Sequence, residues 1–421
     1  MKKHNKLVAA ALILLSMLSI FNLTGCGIKI SAQDLTEGYE PESVNKREPD
    51  KAFIDSQTDF SVNLFKVTAN NEGENILISP LSVGLALAMT ANGADNQTLS
   101  EMEALLCDGF GIQSLNEYFS SYVNSQDSGE KYKVSIANSI WFRDDENRLS
   151  VEKDFLQTNA NYYSAQIYKS PFDKKTVRDI NNWVKLHTDK TIDKIVDEIN
   201  PNTVMYLINA LAFDAEWEHV YEKSDITNGT FTSYGGEKQD TEMMTSEERL
   251  YLCDENSTGF IKNYSGGKYS FAALLPNEGI DIYEYIQGLT GERLQNTLDG
   301  AQSSAVKATM PKFSYEYESS LNDPLKKLGM NSAFDESKAD FSKMGKSSNG
   351  NLYISEVKHK TFICVDERGT KAGAVTSVTM NEEGADPMSM YSVKLDRPFV
   401  YMIIDNDTNL PLFIGAVTDI N

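Results

Sequence analysis

The chain has 421 residues, of which 39 are basic and 61 acidic, for a formal net charge of −22. That balance argues against a nucleic-acid binder, whose phosphate contacts need a concentrated basic face, and against electrostatic docking on anionic lipid. Hydrophobic residues at 41% and charged residues at 24% supply ample core material, enough for two or three average domains or one large one. Four cysteines (Cys26, Cys107, Cys253, Cys364) are too few and too scattered for a disulfide scaffold or a zinc site, so no metal centre is expected.

In chain order, Met1 to Lys6 is a basic start and Leu7 to Phe21 an apolar run, too short for a comfortable membrane span and suited to a signal peptide. Leu23-Thr24-Gly25-Cys26 resembles a bacterial lipobox. That resemblance implies removal of residues 1–25, a diacylglycerol on Cys26, and a protein lipid-anchored to the outside of a bacterial cell. Residues 26–50 mix charge, Pro and Gly without apolar periodicity and read as a flexible tether. A helix is expected from Ala52 to about Asn70, carried by Phe53, Phe60, Val62, Leu64, Phe65 and Val67. Asn75 to Ser79 reads as a strand ended by Pro80, followed by a helix that stops at Asn92-Gly93. Helices and alternating strands then interleave to residue 421 with no linker and no repeat, so one α+β domain over 51–421 is expected.

No HExxH, GxSxG, CxxC, Walker or Rossmann motif is present, and nothing points to an enzyme or to a cofactor. His187 and His219 read as surface residues, and Ser265-Gly266-Gly267 as a hairpin turn.

One stretch is unusual for a compact domain. From Asp366 to about residue 396 the chain is rich in small residues and reads as a loop of roughly thirty residues, a length that is uncommon without a function. Yet 370–380 alternates cleanly: Thr370, Ala372, Ala374, Thr376, Val378 and Met380 form one small or apolar face. A segment that is a loop by length and a strand by pattern is able to be either.

The run Glu367-x-Gly369-Thr370-x-Ala372-x-Ala374-x-Thr376 resembles the hinge of the reactive-centre loop of serpins. Asn75-x-x-x-Ser79-Pro80-x-Ser82, Asn209-Ala210-x-x-Phe213-x-x-x-Trp217, Leu275-Pro276-Asn277-Glu278-Gly279, Met310-Pro311-Lys312-Phe313 and Val357-x-His359 resemble further stretches of that family, in the family's order. The resemblance implies a large central mixed β-sheet with further sheets, about eight or nine helices and an exposed reactive-centre loop over about 366–396. It also implies a suicide inhibitor of extracellular serine proteases, some cysteine proteases included. The target forms a covalent acyl-enzyme with the loop, which then inserts into the sheet. Such a protein does no chemistry of its own, needs no cofactor and acts as a monomer.

Carried over residue by residue, the resemblance implies a shutter and breach at Ser79, Ser82, Asn209, His359 and Trp217. Arg368 and Lys371 depart from the pattern, standing where acidic residues are common. The scissile bond has two positions: the hinge count of seventeen from Glu367 gives Glu383-Gly384, and a backward count from Pro398 gives Met388-Ser389. Inserted-strand length favours the first, and familiar protease pockets suit the second. Two rival readings remain, a non-inhibitory serpin acting as a binding or storage protein and a lipoprotein that binds a ligand for transport.

Overall fold

The computed structural model describes residues 29–69, 72–126, 128–144, 149–348, 350–370 and 391–420. The compact body begins at Ser31. Among the described residues nine α-helices surround two large sheets.

The helix Lys51–Thr68 begins where the Asp50 carboxylate accepts the free Phe53 N–H, and it buries Phe53, Phe60, Leu64 and Phe65. The helix Pro80–Ala91 is different in kind. Its residues are apolar or small all round, and all twelve are buried, as expected of a helix with no solvent face. Pro80 occupies the first turn, where a missing N–H costs nothing, and Ser79 caps it by accepting from Ser82 N. This helix packs between the strands of both sheets and carries Ser79 and Ser82 to the centre of the molecule.

The nine-stranded sheet runs through Ser257–Asn263, Tyr269–Pro276, Phe399–Asp405 and Pro411–Val417. The last three of these are buried along their whole length, and Val400, Met402, Leu412 and Ile414 are among their core side chains. The seven-stranded sheet runs, edge to edge, Gln33–Asp34, Gln166–Ser170, Tyr132–Arg143, Met205–Glu216, Gly369–Thr370, Glu356–Val365 and Phe313–Ser320. It is mixed: Met205–Glu216 is antiparallel to Tyr132–Arg143 on one side and parallel to Glu356–Val365 on the other.

The tether expected over 26–50 differs from what the chain does after residue 30. Gln33–Asp34 adds an edge strand to the seven-stranded sheet, and Leu35 N donates to Ile167 O. Asp179 accepts from Ser31 Oγ and Ala32 N, and Arg47 N donates to Glu117 O. Edge pairing uses backbone groups, so two residues of strand leave no side-chain period to read.

Candidate functional site

The two parallel strands at the centre of the sheet are joined at one end and splayed at the other. Tyr206–Asn209 pairs with Glu356–His359. At the far end Gly369–Thr370 stands between them, antiparallel to both, with Gly369 opposite Glu216 and Thr370 opposite Ala215 and Val365. Residues 210–214 and 360–364 lie between those two points and share no ladder with each other. The two strands are thus parted at one end by Gly369 and by Thr370, the first residue of the segment that alternates.

Thr370 is 2% exposed, its side chain turned into the molecule, and its hydroxyl meets the Tyr264 phenol at 2.5 Å. The Tyr264 ring stacks on Trp217, with centroids 4.4 Å apart and planes 8° from parallel. Three successive carbonyls of the turn before the hinge are held by the same segment. Trp217 Nε1 donates to Asp366 O, Tyr221 N to Glu367 O, and Trp217 N to Arg368 O, each at 2.8–2.9 Å. The Glu367 carboxylate pairs with Lys312 at 2.8 Å, which holds it below the usual carboxylate range, and Lys312 also reaches Glu242. Both acids are partly exposed, so the pairs steer the turn more than they stabilise it.

At the joined end the buried His359 links the two strands. Ser79 N–H donates to His359 Nε2 at 3.2 Å, so Nε2 is the bare nitrogen and Nδ1–H donates to Asn209 Oδ1 at 2.8 Å. Asn209 Nδ2 is buried without a hydrogen-bond partner among the described residues. Ser82 Oγ donates to Asn138 Oδ1 at a long 3.5 Å, on the strand beside Asn209. Ser79, Ser82, Asn209 and His359 therefore form one cluster, and Trp217 stands with the hinge at the opposite end. Cys26, Ala372, Ala374, Thr376, Glu383, Gly384, Met388 and Ser389 lie outside the described residues.

Burial pushes the His359 imidazole down to about 4 from an ordinary 6.5. The folded state thus resists a proton that the unfolded chain accepts. Stability is full above about pH 6.5 and is lost as the pH falls towards 4, by about 3 kcal/mol in all. Urea midpoints measured between pH 7 and 4 are expected to show this loss, and a His359→Gln variant to lack that share of it. Equal pH dependence in the two proteins would contradict the assignment.

Sequence reasoning missed Tyr264, Tyr221, Lys262 and Glu248, which lie beneath the hinge. The signal was slight: in Ser257–Asn263 Lys262 shares a strand face with Thr258 and Phe260, so a charge follows one apolar residue.

The seven-stranded sheet thus has a central pair of parallel strands, laddered at one end and parted at the other by Gly369–Thr370. The profile of the family described as serpin (serine protease inhibitor) matches residues 55–420. Serpin B8 of Homo sapiens is 31% identical over 85% of this chain and 96% of its own. The crystal structure of a thermophilic serpin, tengpin, in its native state is 52% identical over 92% of this chain and 99% of that one, with a TM-score of 0.88. Tengpin in its latent state is 50% identical over 89% of this chain and 100% of that one, at a TM-score of 0.79. The chain belongs to the serpin family. Serpins are generally inhibitors of proteases rather than enzymes.

Proposed function

We propose that this protein is an inhibitory serpin that traps a serine protease by inserting its cleaved loop into the central sheet. The observation that carries the reading is the position of Gly369–Thr370, two small residues already paired between two parallel strands. The target's serine attacks the scissile carbonyl, forms an acyl bond and frees the amino group of the next residue, while Phe399–Asp405 and Pro411–Val417 stay in the nine-stranded sheet. The hinge end is then free to continue the antiparallel strand that Gly369–Thr370 has begun.

The register of Gly369–Thr370 can be extended along both neighbours. Counting one residue back along each neighbour for every residue added after Thr370, Thr376 comes level with Asn209 and His359. Insertion to that point breaks the His359–Asn209 bond, and the Thr376 hydroxyl arrives where Asn209 Nδ2 lacks a partner. Residue 380 comes level with Met205, the strand's first residue, and Glu383 falls three residues beyond it. From Thr370 to Glu383 is about 43 Å of strand, so the acyl-linked protease is carried to the opposite end of the sheet. This supports Glu383-Gly384 as the scissile bond over Met388-Ser389, which would trail further past the strand's end.

The test is incubation with a panel of serine proteases, including one specific for glutamate. An adduct stable to SDS and a released C-terminal peptide beginning at Gly384 are expected. Clean cleavage without adduct by every protease that cuts the loop would favour a non-inhibitory serpin, and a peptide beginning at Ser389 would move the scissile bond. The lipobox-like Leu23 to Cys26 supports attachment to the outer face of a bacterial membrane. Fatty-acid labelling that a Cys26→Ser variant abolishes is the expected result there.

A further inference from the structure

Beneath the hinge turn lies a buried charge that strand insertion does not itself require. Lys262 is 2% exposed, and its Nζ donates to Glu248 Oε1 at 2.8 Å. The same ammonium lies 4.4 Å from the ring centroid of Tyr221 and 5.4 Å from that of Trp217. Glu248 Oε1 also accepts from Ser246 Oγ, which lies 3.2 Å from the Tyr221 hydroxyl. One ion pair therefore reaches both aromatic residues that hold the hinge turn, each of which donates its own amide to a carbonyl of that turn.

An apolar side chain of similar length would fill this space without the cost of desolvating an ammonium. It would lack the attraction of a cation for two ring faces, which is strongest where water is excluded. Trp217 also packs on Tyr264 and Phe271, and Tyr221 meets Ser246, whereas the Lys262 ammonium faces both rings at once. We propose that Lys262, oriented by Glu248, is a positioning residue for the hinge. It braces Trp217 and Tyr221 from below so that their amides stay bonded to Arg368 O and Glu367 O, and so that Gly369–Thr370 stays in the sheet as the nucleus for insertion.

The test is hydrogen exchange at the Trp217 and Tyr221 amides, which report directly on docking of the turn. In Lys262→Met these two amides are expected to exchange about tenfold faster, the loss of a desolvated cation–ring contact. The Tyr401 amide, in the buried strand Phe399–Asp405, is expected to keep its rate, and Lys262→Arg to restore the slow exchange. Unchanged exchange in Lys262→Met overturns the proposal, as does an Arg variant as fast as Met, or acceleration shared equally by Tyr401. If Lys262→Met does not fold, Lys262→Met with Glu248→Gln removes both charges and is read the same way. A kinetic arm rests on the inhibitory reading: Lys262→Met is expected to consume more inhibitor per protease trapped. Exchange is measured on the protein alone, so the brace is decided even if the wild type forms no adduct.

Discussion

Under the inhibitory function proposed above, replacing Thr370 by arginine is expected to leave a substrate: the loop is still cut, and the SDS-stable adduct disappears. The Thr370 side chain is buried between Ala215 and Val365, with the Tyr264 phenol at its hydroxyl. An arginine there must either bury its guanidinium among aromatic rings, at a cost of several kcal/mol, or stay out of the sheet. Insertion competes with deacylation, and each 1.4 kcal/mol added to the insertion barrier slows it about tenfold. A penalty of about 3 kcal/mol therefore slows insertion about a hundredfold, enough to let most acyl-enzymes hydrolyse. First encounter with the protease is untouched, because Thr370 is not on the surface that the protease meets. Gel electrophoresis after mixing with an excess of protease reads the result, and an adduct yield equal to wild type would sink the insertion mechanism.

Gly369→Val is expected to have a comparable effect through packing instead of charge. A Cβ at this position would lie 2.0 Å from the Ala215 carbonyl oxygen and 2.9 Å from Glu216 Cα, all of it backbone. Backbone in a packed sheet does not yield by the roughly 1 Å required, so the substituted hinge leaves the space between the strands. Two things follow that can be measured separately. The amides of Trp217 and Tyr221 lose their protection because the turn that they hold has moved. The adduct yield falls although every side chain in the alternating face is unchanged. A Gly369→Val protein that forms adduct normally would show that Gly369–Thr370 is not the starting point of insertion.

The alternation of Thr370, Ala372 and Ala374 was plain in the sequence, because a period of two survives whether the segment is inserted or free. For the same reason the sequence could not say that Gly369 and Thr370 already stand in the sheet. Helix Pro80–Ala91 was readable from Ser79, Pro80 and an unbroken apolar run, and its boundaries fall within a residue of expectation. The contact of His359 with Asn209 was reached only through resemblance, since 150 residues separate the two and no local rule pairs them. The edge strand Gln33–Asp34 was invisible for a different reason. It is held by backbone hydrogen bonds and by Asp179, none of which leaves a pattern in the segment itself. Lys262 lay in view as a charge next to Phe260 on one strand face, but its neighbours Glu248 and Tyr221 come to it only in the folded chain.

In the proposed mechanism the native sheet is open and gains a strand when the loop is cut. Thermal unfolding of the intact protein and of the protein nicked in its loop by a non-target protease tests it directly. Filling the space between residues 210–214 and 360–364 pairs backbone on both sides of the new strand. The nicked protein is therefore expected to melt higher than the intact one, by about 10 °C or more. A nicked protein that melts at or below the temperature of the intact one would contradict it.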